Sequence, residues 1–146
     1  MLLKLWVDSS KTDLVYFCYT NFYFFYMSKK TLVIGASINP ERYAYKALCK
    51  LKENHYEVCA LGPKVGTVFG VKIDTEQKLY KNIHTVSLYL NPKRQEEFYA
   101  YIIQLNPQRV IFNPGTENPN FFKRLERHNI SYEIACTLVL LSTNQY

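Results

Sequence analysis

The sequence has no C-x-x-C pair, no Cys/His cluster at zinc-ligand spacing and no G-x-G-x-x-G run. Its four cysteines, Cys18, Cys49, Cys59 and Cys136, are irregularly placed. That spacing argues against a disulfide framework and a structural zinc site. Cys49 and Cys59 fall within apolar patterns, where free cysteine behaves as a small hydrophobe. Reduced, buried thiols are therefore expected, and with them a cytoplasmic location. Long apolar runs are also missing. Residues 14–26 are too few to span a bilayer. They follow acidic residues and carry no small-residue cleavage site, so neither an anchor nor a signal peptide is predicted. No Ser-His-Asp or Cys-His arrangement stands out, and no catalytic residue is assigned.

What is present describes one small globular domain. The 146 residues are 48% hydrophobic and 21% charged, with a formal net charge of +6. This balance favours anionic partners. No interleaved strip of basic and aromatic residues is evident, so nucleic acid is not expected. Nine of the 23 aromatic residues crowd into residues 1–26, whose charges cancel, and Met27-Ser28-Lys29-Lys30 reads like a natural start. Residues 1–26 are accordingly read as a segment outside the domain, upstream sequence read in frame, with a strand or arm for dimer contact or a peripheral membrane segment as the alternatives, and 27–146 as the domain.

Apolar stretches at 31–35, 57–61, 84–90, 109–112 and 131–135 predict strands, with 71–73 a brief edge strand. Apolar residues at helical spacing predict helices over about 42–54, over about 93–105 and around Phe121, Phe122 and Leu125, followed by a short apolar tail at 138–141. Strands that are continuously apolar and alternate with helices predict an α/β fold: a Rossmann-like, doubly wound parallel sheet in a single domain. In such sheets ligands bind at the carboxyl ends of the strands.

The loops there carry the candidate chemistry. Gly35-Ala36-Ser37-Ile38-Asn39-Pro40 joins the first strand to the first helix, where backbone amides and the positive helix end favour an anion. It is equally compatible with a capped strand–helix turn. NAD-binding domains carry an acidic residue at the end of the second strand. Here that place reads Leu61-Gly62-Pro63-Lys64, which argues for a ligand with a phosphate on its ribose, such as NADP or coenzyme A. Tyr89-Leu90-Asn91-Pro92 offers a flat apolar wall beside Lys93 and Arg94, the latter read as a solvated first-turn residue. Asn113-Pro114-Gly115 is a sharp polar turn. His55, His84 and His128 sit at element ends and are given structural roles.

Four blocks, VIGASINPERYAYKAL, GPKVGTVFGVKI, HTVSLYLNPKRQ and FNPGTEN, occur in order at these loops. Together they resemble the small stand-alone CoA-binding domain proteins, which are similar to the N-terminal CoA-binding domain of the succinyl-CoA synthetase alpha subunit. The resemblance covers about residues 29–142. It implies strand order 3-2-1-4-5 and coenzyme A lying across the strand ends. By position, Gly35, Ala36, Ser37 and Asn39 would hold the pyrophosphate, and Pro63 and Lys64 would approach the nucleotide phosphates. Tyr89, Leu90, Asn91 and Pro92 would cover the nucleotide, and Asn113, Pro114 and Gly115 would face the pantetheine end. The first loop is less glycine-rich than in the synthetase. The ligase half, with its phosphorylated histidine, has no counterpart here. The implied function is a coenzyme A or acyl-CoA binding module without an activity of its own; the alternative is a small NADP-dependent oxidoreductase. Cys136 follows the last strand and could approach a CoA thiol.

Overall fold

A computed structural model describes residues 29–146. The expectations for residues 1–26 and Cys18 lie outside the described residues.

The chain alternates strand and helix. It runs β1 (Thr31–Ile34), α1 (Tyr43–Glu53), β2 (Val58–Leu61), β3 (Gly66–Val68), β4 (Val71–Asp74), β5 (Thr85–Leu88) and α2 (Pro92–Gln95). A 3-10 turn (Glu96–Phe98) then leads to α3 (Tyr99–Leu105), β6 (Arg109–Phe112), α4 (Pro119–Arg127), β7 (Ser131–Ile134) and α5 (Thr137–Ser142). The sheet order is β3-β4-β2-β1-β5-β6-β7, parallel throughout except for the β3–β4 pair. Counting only the parallel strands, the order is 3-2-1-4-5-6. The order implied by the resemblance is thus kept, with one more strand at the β7 edge.

Pleating sends alternate residues of each strand to opposite faces. Leu32, Ile34, Val86, Leu88, Val110 and Phe112 meet Tyr101 and Ile102 of α3 and Phe121 and Leu125 of α4. Val33, Ala60 and Ile111 meet Ala44, Leu48 and Leu51 of α1 and Leu140 and Leu141 of α5. Both faces are therefore covered, as continuously apolar strands require. Burying each such large side chain contributes about 1.5–3 kcal/mol.

Three elements differ from the sequence expectation. Residues 71–73 belong to an inner strand, because β3 caps that edge through a two-residue turn. Phe69 and Gly70 both take positive φ, 47° and 78°, as the tightest hairpin turn demands. The helix expected over 93–105 is interrupted by the 3-10 turn. The apolar tail is helix α5, whose buried face carries Leu140 and Leu141. The cysteines Cys49, Cys59 and Cys136 are free, as expected, but only partly buried. Among the described residues no helix is long and apolar enough to cross a membrane, and no group of His, Cys, Asp and Glu is placed to hold a metal ion.

Candidate functional site

From β1 the chain winds outward through β2 to β4, then returns to start β5 on the other side of β1. The loops leaving β1 and β5 therefore part, and a crevice must open between them. The structure has a cavity of about 390 Å³ at this point. Its walls are Gly35, Ala36 and Ser37 after β1, Pro63 after β2, Tyr89, Leu90 and Asn91 after β5, and Pro114, Gly115 and Thr116 after β6. Arg42, Tyr43 and Ala44 at the start of α1, and Arg94 in α2, complete it.

Two glycines let these loops approach. Gly35 has φ +90°, and a Cβ there would lie 2.9 Å from the Tyr89 carbonyl carbon and oxygen. At Gly62 a Cβ would fall 2.3 Å from the Ala36 carbonyl oxygen. The β1 loop is thus wedged between the loops of both neighbouring strands.

Backbone bookkeeping shows which donors the crevice offers. The amides of Gly35 and Ala36 both donate to the Leu61 carbonyl, at 2.9 and 3.0 Å, so these residues shape the wall without presenting a donor. Ser37 Oγ accepts from the Asn39 amide at 3.1 Å, and Asn39 Oδ1 accepts from the Glu41 amide at 3.0 Å. These side chains build the turn, and the Ser37 O–H remains able to donate. Helix α1 has no side-chain cap at Arg42. Its first intrahelical-type bond is Lys46 to the Arg42 carbonyl, which leaves the amides of Tyr43, Ala44 and Tyr45 without an acceptor among the described residues. An uncapped, eleven-residue helix with its positive end at the crevice favours an anion there.

The charge at the site has the same sense. Arg42 and Arg94 stand on its walls, and neither takes part in an ion pair among the described residues. Arg94, expected to be solvated, is exposed yet lies on the cavity wall, whereas Lys93 lies outside the lining. Lys64 is exposed and outside the lining, one residue beyond Pro63. Asn39 and Pro92 are outside it as well.

The floor is braced by a buried polar network. Gln95, fully buried, donates from Nε2 to the carbonyls of Leu90 at 2.8 Å and Thr116 at 2.6 Å. Asn118 Nδ2 donates to Gln95 Oε1 at 3.0 Å and to the Tyr99 hydroxyl at 2.7 Å, while its Oδ1 caps α4. Asn113 is also committed inward. Its Nδ2 donates to Ser87 Oγ and the Leu88 carbonyl, and its Oδ1 accepts from the Thr137 amide. Asn113 therefore ties the start of α5 to the strand ends. Burial pushes the Tyr89 phenol well above the ordinary tyrosine range.

The sequence reading brought together Gly35, Ala36, Ser37, Pro63, Tyr89, Leu90, Asn91, Pro114 and Gly115, all on this cavity. It missed Arg42, Tyr43, Ala44 and Thr116. The available signal was the absence of Ser, Thr, Asp or Asn at the residue that opens α1. The three histidines lie outside the lining: His55 just after α1, His128 at the end of α4, and His84 before β5, where its Nδ1 lies 2.8 Å from Thr85 Oγ1.

Comparison with known proteins gives a consistent result. A family model described as "CoA binding domain" matches residues 29–142. An uncharacterized protein of known crystal structure is 44% identical, with a TM-score of 0.79; the match covers 81% of this chain and 98% of that one. A hypothetical protein from Pyrococcus horikoshii OT3 is 25% identical, with a TM-score of 0.72 over 86% of this chain and 89% of its own. A Thermus thermophilus protein at 20% identity shares the fold, with a TM-score of 0.72 over 88% of this chain and 98% of its own. No curated protein matches the chain.

Proposed function

The chain belongs to the CoA-binding domain family, and from that premise we propose that the crevice between β1 and β5 holds coenzyme A. The reading rests on one observation: an uncapped helix N-terminus that carries Arg42 shares a cleft at the topological switch point with Arg94, and neither arginine has a carboxylate partner among the described residues. A pyrophosphate suits this arrangement. The free amides of α1 and the Ser37 hydroxyl would donate to its oxygens, and the guanidiniums of Arg42 and Arg94 would neutralise it. Lys64, beside the wall residue Pro63, would approach the 3′-phosphate on the ribose. Tyr89 and Leu90 would flank the adenine or the start of the pantetheine arm, and Pro114 and Gly115 its far end. Asn39, Pro92 and Asn113 would act by shaping the loops.

Binding rather than catalysis is the role proposed for this domain, in a cytoplasmic setting. Among the described residues no histidine lines the cleft, and its charged groups are both guanidiniums, whose forked donors suit anion binding. A larger assembly or a second copy of the chain would supply whatever chemistry is done on the thiol.

Isothermal titration with coenzyme A, 3′-dephospho-CoA, NADP and NAD tests this. Coenzyme A should bind most tightly, dephospho-CoA more weakly, and NAD not at all. Arg42→Ala and Arg94→Ala should each weaken coenzyme A about tenfold, the value of one charge-assisted hydrogen bond. Lys64→Ala should narrow the gap between coenzyme A and dephospho-CoA. Absence of heat with coenzyme A, together with an unmoved melting temperature, overturns the proposal.

A further inference from the structure

Tyr43, Tyr89 and Pro114 line a second cavity as well as the first. It measures about 260 Å³, and its remaining walls are Asn113, Cys136 and Leu138. Among the described residues no charged one lines it. Its one amide is spent, because both ends of the Asn113 side chain are bonded to Ser87, Leu88 and Thr137. The walls are therefore chiefly apolar, and the Tyr89 hydroxyl, buried without a partner among the described residues, is the polar atom left to meet an uncharged carbonyl. The residues come from the ends of β5, β6 and β7, the start of α5 and the first turn of α1, so the cavity lies beside the cleft already described.

We infer that this second cavity takes the acyl group of a short, uncharged acyl-CoA thioester. The inference rests on the proposed binding of coenzyme A in the adjoining cleft. Shared walls place the two cavities in sequence, as the nucleotide and the thioester end of one ligand would require. Volume sets the size of the group: an apolar cavity of about 150 Å³ accommodates benzene, so this one has room for a chain of about four to six carbons. Charge sets its kind. A terminal carboxylate, as in a succinyl group, would be desolvated against walls that return no ion pair. A saturated chain loses nothing by entering, and each buried methylene favours binding by up to about fourfold.

The test is calorimetry on the full chain with coenzyme A and its acetyl, butyryl, hexanoyl and succinyl thioesters. Affinity should rise about twofold to fourfold per methylene from acetyl to hexanoyl, and succinyl-CoA should bind at least tenfold more weakly than butyryl-CoA. Leu138→Trp, which fills the cavity, should flatten the series; Leu138→Phe, the smaller addition, should lower its slope. If coenzyme A binds and the wild-type series is flat, or succinyl-CoA is the tightest ligand, the acyl inference is overturned while the reading of the main cleft stands. If the series keeps its slope in a Leu138→Trp protein whose circular dichroism matches wild type, the assignment of this cavity is overturned. If neither coenzyme A nor any thioester binds, both fall together.

Discussion

Gln95 is the buried side chain whose removal should tell most about how the cleft is built. It is fully enclosed, and its amide joins the Leu90 carbonyl, the Thr116 carbonyl and Asn118 Nδ2, groups from the loops that leave β5 and β6. Gln95→Leu keeps most of the volume and removes every one of these bonds. Each buried polar group left unpaired costs about 1–3 kcal/mol. Asn118 keeps the Tyr99 hydroxyl as a partner, so the two carbonyls dominate and the loss should be about 3 kcal/mol. For a domain of this size that lowers the melting temperature by roughly 10 °C. Gln95→Glu sharpens the test. Ionised, it has no proton for either carbonyl; protonated, it can satisfy one. Its folded pKa must then be raised above the unfolded value, so the folded state binds more protons between the two. Stability of this variant should be highest below the unfolded glutamate pKa and fall as pH rises through the folded one. Urea denaturation of wild type and both variants across pH measures this. A Gln95→Leu protein within about 0.5 kcal/mol of wild type would refute the argument that the network holds the cleft floor.

Other substitutions probe separate parts of the fold. Gly62→Ala should cost about 2–3 kcal/mol, because its Cβ would lie 2.3 Å from the Ala36 carbonyl oxygen and backbone must move; an unchanged urea midpoint would show that the β1 and β2 loops separate freely. Tyr146→Ala should cost about 3 kcal/mol, measured by thermal unfolding. The buried ring packs edge-on to Tyr56 at 4.9 Å, lies under the Arg109 guanidinium at 4.8 Å, and bonds Thr31 Oγ1 at 2.6 Å. His84 titrates below its ordinary 6.5, from burial first and then from the nearby charges of Arg109 and Lys29. The unfolded chain therefore takes up this proton first. Its contribution is complete above about pH 6.5 and is lost as pH falls through the lower folded value. The urea midpoint should drop on acidification through that window, and less so in His84→Gln; an equal drop in the two proteins would remove His84 from the account.

The four loops of the candidate cleft were legible because a parallel sheet leaves a ligand only one end to occupy. Once residues 31–35 and 84–90 read as buried strands, the turns after them had to border one crevice, and Gly35 marked a close approach of the two. The helix faces were equally plain, since Ala44, Ala47, Leu48 and Leu51 recur at spacings of three and four. What escaped depended on contacts distant in sequence. Arg42 and Tyr43 look like ordinary first-turn residues until the amides of Gly35 and Ala36 are seen to be taken by Leu61, which shifts the donor role to α1. Arg94 and Lys93 are neighbours in sequence, and only the direction of α2 puts one of them on the wall. The hairpin of β3 and β4 hid because its turn begins with Phe69, a residue that seldom takes positive φ. The second cavity hid because Leu138 read as an apolar tail, whereas α5 folds back to the mouth of the sheet.

The same details bear on the choice between coenzyme A and NADP, both of which carry a phosphate on the adenine ribose. At the end of β2 the two look alike: no carboxylate follows Leu61, and Lys64 stands nearby. The difference must come from the other end of the ligand. A nicotinamide ring is read through its carboxamide, which needs a donor and an acceptor in a fixed place to orient the ring for hydride transfer. Beyond Tyr89 and Pro114 the Asn113 amide is consumed by Ser87, Leu88 and Thr137, and the other walls are Cys136, Leu138 and Tyr43. A pantetheine arm asks far less, because it is flexible and its thiol or acyl end is apolar. The one carboxamide at that end has been spent on fastening α5 to the sheet, and that commitment favours coenzyme A over NADP.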